Sequence, residues 1–186
     1  MGMPDAARRW TAQMVRELPD DGNRYEVVHG VLLVSPAPGR RHQIVLGRLH
    51  ARLRAYLEPL ELGDTVLFSP ADISWDEETL VQPDLFVHAA AEMSGDWATI
   101  KTLLLAVECL SPSSVRADRV IKRRLYQEQG VGTYWVLDPD AGRADVWHPG
   151  QERAEVVTDV LRWQVAPHAP LFEVEIAALV GKLPGG

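Results

Sequence analysis

The stretch LLLAVECLSPSSVRADRVIKRRLYQEQGVGTYWVLDP, from Leu103 to Pro139, decides the fold prediction. It begins with a nearly continuous apolar run, which is typical of a central strand covered on both faces. The SPSS segment then offers hydroxyl groups that can cap a helix from about Arg116 to Gln129, and Gly130 ends that helix. GTYWVLDP forms a second buried strand. The strand, helix and strand in succession predict an α/β (α+β) domain built on a central sheet.

The segments that precede this unit predict further elements. WTAQMVREL (10–18) has the apolar spacing of a short helix, and RYEVVHGVLLVSP (24–36) predicts a hairpin that turns at His29-Gly30. RRHQIVLGRLHARLRAYL (40–57) predicts an amphipathic helix that buries Ile44, Leu46, Leu49, Leu53 and Leu57 and turns its arginines toward solvent. TVLFSPADISW (65–75) and TLVQPDLFVH (79–88) predict two strands joined by an acidic turn.

The segments after Pro139 predict a smaller C-terminal part. RADVWHP (143–149) can pair with GTYWVLDP as a hairpin, and the tail predicts short strands followed by a helical turn around 176–180. At 186 residues the chain is long enough for one sizeable core. We therefore expect one domain over 1–186, with an accessory helix and hairpin (1–38), a core (39–140) and C-terminal strands with a short helix (141–186).

Composition and termini predict a soluble, cytoplasmic protein. No apolar run approaches the roughly 18 residues that a membrane span requires. The segment MGMPDAARRW lacks the apolar core of a secretion signal, and Ala6 does not match a myristoylation signal. The single cysteine, Cys109, cannot form an internal disulfide and lies in an apolar run, which predicts a small buried side chain in a reducing compartment.

The net charge of −7 argues against a nucleic-acid partner, but the charges are unevenly distributed. Residues 39–54 hold five arginines and no acid, and residues 116–124 hold five basic residues against Asp118 alone. These two segments could contact phosphates, although they could equally be ordinary solvated faces of two helices. The residues that we expect to contact nucleic acid are Arg40, Arg41, Arg48, Arg119 and Arg123.

Two carboxylates interrupt predicted strands, where acids are costly. Asp84 follows Pro83 in LVQPDLFV, and Glu108 lies near the end of LLLAVECL. Two such acids at neighbouring strand ends would form an oxygen-rich site suited to Mg²⁺ or Mn²⁺. The alternative for each is a structural acid that faces solvent or a loop amide.

The helix after Glu108 supplies a candidate cation. Asp118, Lys122 and Tyr126 recur every four residues and therefore lie along one helix face. The Lys122 ammonium could orient or help to deprotonate an attacking water and offset charge on a phosphate. The alternative is a surface ion pair between Asp118 and Lys122, which contributes little.

Taken in order, these motifs resemble those of the Uma-two (Uma2) family of putative restriction endonuclease domains, within the PD-(D/E)xK nuclease superfamily. The resemblance spans most of the chain. It includes RYEVVHG (24–30), the helix that begins near His42, VQPDLFV (81–87), VECLSPSS (107–114) and GVGTYWVLDP (130–139). It implies a restriction-endonuclease-like core, a central mixed sheet flanked by helices.

The resemblance also implies roles for individual residues. Asp84 and Glu108 become metal ligands, and the Cys109 backbone carbonyl becomes a third contact. The usual lysine two positions after the glutamate is absent, because Leu110 stands there, so Lys122 takes over the basic role. Glu26 and His42 become a further ligand and a proton carrier, with hydrogen-bonded structural roles as the alternative.

The implied activity is hydrolysis of DNA phosphodiester bonds by an endonuclease that uses Mg²⁺ or Mn²⁺, with a homodimer expected by analogy. Two alternatives remain open. One is a nucleic-acid-binding or interaction module with little or no catalysis, which the net acidity and the missing lysine favour. The other is a hydrolase of small phosphoesters, since the same chemistry does not require a polymer.

Overall fold

A computed structural model describes residues 9–112 and 114–181. The first eight residues, which carry part of the expectation about targeting, and the last five lie outside these ranges, as does Ser113 of the predicted helix cap. In the described ranges, no helix is both long and apolar enough to cross a membrane.

The chain begins with the short helix and the hairpin that the sequence predicts. Helix α1 (Ala12–Arg16) is followed by β1 (Asn23–Val28) and β2 (Val31–Pro36), which pair antiparallel. The turn between them places His29 at φ 50° and Gly30 at φ 77°. Glycine takes this left-handed conformation without steric penalty, which explains why it stands at the turn. Hydrogen bonds between Val27 and Leu80 attach the hairpin to the rest of the fold.

Helix α2 (Arg40–Leu57) confirms the predicted amphipathic pattern with one correction. Its buried residues are Val45, Leu46, Leu49, Leu53 and Leu57. Val45 occupies the core position that we expected for Ile44, which is only partly buried, because the buried face at the start of the helix is rotated by one residue.

A six-stranded mixed sheet forms the centre of the fold. Its strands, in spatial order, are β3 (Val66–Phe68), β4 (Leu85–His88), β5 (Leu103–Cys109), β6 (Tyr134–Asp138), β7 (Arg143–Trp147) and β8 (Glu155–Val157). In this sheet β5 and β6 run parallel, and the other neighbouring strands run antiparallel. The sheet confirms the predicted α/β class, the central strand at 103–109 and the hairpin of β6 with β7.

Two layers cover this sheet. A helical crossover joins β5 to β6 and packs, together with the β1–β2 hairpin, on one face. This crossover consists of a π-helical segment (Ala117–Lys122) and α3 (Arg123–Glu128). The other face is covered by α2, by the two-stranded sheet of β9 (Val160–Trp163) and β10 (Phe172–Glu175), and by α4 (Ile176–Val180).

The strands on either side of the predicted acidic turn are shorter than expected. Strand β3 contains only three residues of TVLFSPADISW, and strand β4 contains only four residues of TLVQPDLFVH. Pro70 and Pro83 lack the backbone N–H that a longer ladder needs, so regular pairing stops at them. Beyond them, Ile73 and Val81 form an isolated bridge. The segment before β4 therefore runs as a tethered loop that ends at Asp84.

Candidate active site

Two neighbouring strands bring Asp84 and Glu108 to the same place. In the antiparallel ladder of β4 and β5, Leu85 pairs with Val107, so Asp84 lies at the next pair, across from Glu108. Alternation along the strands places both carboxylates on the face that the crossover covers, since Phe86 and Ala106 pack on that side. Asp84 and Glu108 are 4% and 1% exposed. They therefore form a buried pair rather than two acids facing solvent.

Asp84 is held by three donors. Its Oδ1 accepts a hydrogen bond of 2.6 Å from Arg24, and its Oδ2 lies 2.9 Å from Nε2 of His42. The backbone N–H of Cys109 donates to Oδ2 at 2.8 Å. Burial alone would raise the pKa of Asp84, but the His42 hydrogen bond and the Arg24 charge outweigh burial and hold that pKa well below its ordinary value. Asp84 is therefore a fixed carboxylate anion.

Glu108 accepts two hydrogen bonds on one oxygen. The Lys122 ammonium and the Tyr126 hydroxyl each donate to Oε1 at 3.1 Å. Burial raises the pKa of Glu108 well above its ordinary value; the Lys122 charge opposes this effect and the nearby Asp84 charge adds to it. Binding a cation at Glu108 would therefore favour the ionised carboxylate.

Lys122 lies at the centre of a buried cluster of acids. Its Nζ is 2.8 Å from Glu26 Oε2, 3.1 Å from Glu108 Oε1 and 3.5 Å from Asp118 Oδ1. The lysine side chain is only 3% exposed, so the interpretation of Asp118 and Lys122 as a surface ion pair is wrong. Burial would lower the pKa of Lys122, but the three carboxylates outweigh burial and raise that pKa well above its ordinary value. The ammonium stays charged.

The crossover is wound irregularly where it meets the cluster. The predicted helix is confirmed, but residues 117–122 form a π-helix, and Lys122 is its last residue. The Tyr134 hydroxyl donates a 2.9 Å hydrogen bond to the Asp118 carbonyl, which would otherwise serve only the helix backbone. A side chain inserted into the backbone ladder is a known cause of such irregularity, and π-helical turns are frequent at functional sites. Asp118, Lys122 and Tyr126 still share the face toward Glu108.

The site buries more acidic groups than basic ones. Four carboxylates are each at most 4% exposed: Glu26, Asp84, Glu108 and Asp118. The permanent cations that contact them are Arg24 and Lys122. Ionisation of all four would leave an excess of anions in an interior that screens charge poorly, in agreement with the raised pKa of Glu108 and of Asp118, for both of which burial is the main cause. A divalent cation would relieve this excess.

The oxygen donors fit a hard divalent cation. Asp84, Glu108 and Cys109 line one cavity of about 60 Å³. A cavity needs about 10–15 Å³ to hold one water, so this cavity has room for several water-sized groups. Among the described residues, no group of three or more His, Cys, Asp or Glu side chains is placed to hold a metal ion by itself. Mg²⁺ is usually held by one or two carboxylates and keeps several waters, so two carboxylates and a carbonyl suit it.

Comparison with known proteins decides the family. Residues 12–178 match the family Uma2, described as putative restriction endonuclease. The chain belongs to the Uma2 family. This match confirms the resemblance seen in the sequence, and membership supports a nuclease-like function in a family that generally uses divalent metal ions.

A solved structure shares the fold of this Uma2 protein. It is described as a putative nuclease belonging to DUF820 from Anabaena variabilis ATCC 29413. The two chains are 20% identical and superpose with a TM-score of 0.72, over 91% of this chain and 97% of that chain. At this identity the likeness establishes the fold alone. No curated protein matches the chain.

The Uma2 fold brings together all six residues that we expect at the centre: Glu26, His42, Asp84, Glu108, Cys109 and Lys122. Glu26 lies against Lys122, and its Oε1 also accepts the Gln82 backbone N–H at 2.7 Å. His42 contacts Asp84, and its Nδ1 is buried with no hydrogen-bond partner in the described ranges. Cys109 is 2% exposed, as expected, and burial raises the pKa of its thiol, which keeps it protonated.

Sequence reasoning missed Arg24. Its guanidinium contacts Asp84 Oδ1 and the Gln82 carbonyl, and its side chain is 17% exposed. The signal that could have found it is strand periodicity, because Arg24 and Glu26 are two residues apart on β1 and so face the same side. The β1–β2 hairpin therefore supplies two charged groups to the site.

The arginines that we expected to contact nucleic acid differ in their availability. Arg48 donates to the Leu179 and Gly181 carbonyls and does not point to solvent as predicted, because these carbonyls at the end of α4 lack helical partners. Arg119 is bound by Asp138 and Asp145. Arg41 pairs with Asp140 on the surface, and Arg123 donates to Gln127. Arg40 is exposed, and its side chain makes no hydrogen bond or ion pair within the described residues.

Proposed function

We propose that this Uma2 protein is a Mg²⁺- or Mn²⁺-dependent endonuclease that hydrolyses DNA phosphodiester bonds. One observation carries the proposal. A lysine from the crossover lies within 3.1 Å of Glu108, and Glu108 lies across the ladder from Asp84. Two carboxylates and an adjacent cation are the groups that metal-assisted hydrolysis requires, and all three line one small cavity.

Asp84 and Glu108 would hold the divalent ion, with the Cys109 carbonyl as a third contact. When bound, the ion would supply Lewis-acid activation of water and neutralisation of phosphate charge. Asp84 is prepared for this task, because Arg24 and His42 keep it ionised and fix its orientation. Such support from surrounding donors commonly determines how well a ligand performs.

Lys122 would act as a fixed positive charge. Because its three acidic neighbours keep the ammonium protonated, it is unsuited to accept a proton from water. It can donate hydrogen bonds, orient a water or phosphate oxygen, and stabilise the negative charge that develops during hydrolysis. Glu26 would serve as a positioning residue, since its Oε2 lies 2.8 Å from the Lys122 ammonium. His42 would position Asp84 and is the candidate proton carrier.

The DNA backbone would approach over the start of α2. Arg40 is exposed there, and Arg41 is half-exposed with a surface partner that phosphate could replace. Contacts of this kind would make binding salt-dependent without conferring sequence specificity. Arg123 on the crossover is a further candidate for phosphate contact.

Cleavage of supercoiled plasmid tests the proposal. The wild type should nick plasmid with Mg²⁺ or Mn²⁺ and stop in EDTA. Asp84→Asn should lose this activity, because it keeps the size of the side chain but removes its charge and replaces one acceptor oxygen with an amide donor. Metal-dependent nicking by Asp84→Asn at the wild-type rate would contradict the proposal.

Two other functions give different results in the same assay. A binding module without catalysis would leave plasmid intact while it retards DNA in a gel; the missing lysine two positions after Glu108 favours this alternative. A hydrolase of small phosphoesters would leave plasmid intact but turn over bis(p-nitrophenyl) phosphate with metal. The small volume of the catalytic cavity, about 60 Å³, is the observation that favours it.

A further inference from the structure

A second pocket adjoins the catalytic cavity. This side pocket encloses about 320 Å³, at the lower end of the roughly 300–1,000 Å³ of small-molecule sites. Arg24, His42 and Asp84 line both the side pocket and the smaller cavity. A group bound in the side pocket would therefore lie directly beside a phosphate held near Asp84.

The walls of the side pocket combine an aromatic ring with amide groups. Phe68 is 56% exposed at the end of β3, where it pairs with Leu85, the neighbour of Asp84. Three residues that line the pocket carry amide side chains, Asn23, Gln43 and Gln82, and the Gln82 amide donates to Asp72 at 2.8 Å. Aromatic rings stack on the faces of unpaired bases, and amides can both donate and accept hydrogen bonds along base edges.

The segment that carries Phe68 is tied to the catalytic strand. The Ser69 N–H donates to the Asp84 carbonyl, and the Ser69 hydroxyl donates to the Pro83 carbonyl at 2.9 Å. The Phe68 ring also meets the His50 ring edge-on at 5.0 Å. These contacts fix the exposed ring relative to Asp84, so that a ligand could stack on it without first ordering a loop.

A glycine keeps one wall of the pocket open. Gly47 lies within α2 and lines the side pocket. A Cβ at this position would meet no atom within 4 Å. Packing therefore does not require glycine here, although glycine weakens a helix relative to alanine. The absent side chain leaves space that a ligand can use.

We propose that the side pocket receives the base of the nucleotide next to the scissile phosphate. This inference rests on the proposed function and specifies its substrate. A base can enter the pocket only when it leaves the helical stack, which is easiest where it is already unpaired. The preferred substrate is therefore DNA with an unpaired nucleotide at the cleavage position, such as a bulge or a single-stranded loop.

The test compares binding of two fluorescein-labelled duplexes by anisotropy, in EDTA and at low salt. One duplex is fully paired, and the other has the same sequence with a central single-nucleotide bulge. Wild type should bind the bulged duplex about tenfold more tightly, within the usual range for stacking one base on an aromatic ring. Gly47→Leu, which places a bulky side chain on the wall of the pocket, should abolish this preference. Ala51→Leu places the same side chain on α2 one turn away, at an exposed position that does not line the side pocket, and should retain it.

Binding without metal separates this inference from the proposed function. Equal or undetectable binding of both duplexes by the wild type would overturn the inference, as would a preference retained by Gly47→Leu. Neither result would affect nicking of plasmid by the wild type. If thermal denaturation shows that Gly47→Leu is unfolded, Phe68→Ala takes its place, because it removes the stacking ring from an exposed position.

Discussion

The Lys122 ammonium lies 3.1 Å from Glu108 Oε1, although the two residues are 14 positions apart in the sequence. In the superfamily pattern that the chain resembles, a lysine follows the glutamate by two positions, where this chain has Leu110. In this chain the helical crossover between β5 and β6 places Lys122 beside the same carboxylate. Lys122 also contacts Asp118 and Glu26. The contact to Glu26, at 2.8 Å, holds the ammonium between the hairpin and the central sheet.

Replacing Lys122 with methionine should destabilise the protein. Loss of one partner of a buried ion pair typically costs about 3–5 kcal/mol, because the remaining charge stays buried. Urea denaturation would measure the loss in the free energy of unfolding. Adding Glu108→Gln to this variant should recover part of the loss. Lys101→Met, which removes an exposed lysine, should change stability by no more than about 0.5 kcal/mol. A similarly small effect for Lys122→Met would contradict the buried cluster.

Divalent metal should raise the melting temperature of the wild type. An ion that binds only the folded state at 100 times its dissociation constant adds about 2.7 kcal/mol. For a chain of this size each kcal/mol corresponds to about 2–4 °C. Differential scanning calorimetry with and without Mg²⁺ would detect this shift, and Asp84→Asn should lose it. An equal shift in both proteins would place the ion elsewhere.

Arg119→Met should destabilise the protein in a pH-dependent way. Arg119 joins Asp138 on β6 to Asp145 on β7 at 3.1 and 2.7 Å, and hydrogen bonds to charged groups contribute about 1.5–3 kcal/mol. Burial would raise the pKa of Asp138, but the Ala141 N–H and Arg119 outweigh burial and lower it. A lowered pKa contributes stability above the ordinary value near 3.8, and this contribution disappears as the pH falls below it.

The difference in the free energy of unfolding between wild type and Arg119→Met should therefore be largest near neutral pH and should decrease below about pH 4. Thermal unfolding across this range would show the trend. If Arg119→Met has unchanged stability but a weaker salt dependence of DNA binding, Arg119 contacts phosphate instead, which is the role that the sequence suggests.

Substitutions at two glycines should have opposite effects. Gly47→Ala should stabilise the protein by about 0.5–1 kcal/mol, because it improves helix propensity and meets no neighbour. In Gly132→Ala the new Cβ would lie 2.7 Å from the Leu104 carbonyl oxygen, which should destabilise the protein. Denaturant unfolding of both variants tests whether the wall of the side pocket is open. A loss of stability in Gly47→Ala would show that it is closed.

The sequence was sufficient to locate Asp84 and Glu108. Acids inside apolar strands are costly, so their presence indicated a site before any contact was known. The turn at His29-Gly30 and the amphipathic α2 were equally accessible, because local backbone preference and apolar spacing determine them. The lengths of β3 and β4 are harder to predict, since the ladder between these two strands depends on where Pro70 and Pro83 interrupt it.

Long-range contacts could not be predicted in the same way. Asp118 and Lys122 have the spacing of a surface ion pair, and only packing against Glu26 and Glu108 makes them a buried cluster. Arg48 belongs to the basic face of α2, but its partners are carbonyls more than 130 residues away. The side pocket is also invisible in the sequence, because its walls come from separate segments.

The most direct test of the proposed catalytic centre is the single-turnover rate of metal-dependent DNA cleavage by Glu108→Gln. Glu128→Gln is the matched control, since it makes the same change on the exposed end of α3. Glu108→Gln should lower the rate by more than about 100-fold, beyond the roughly 10–100-fold typical of residues that only support a metal ligand. Glu128→Gln should cleave like the wild type. Equal rates for the two variants would contradict a catalytic centre at Asp84, Glu108 and Lys122.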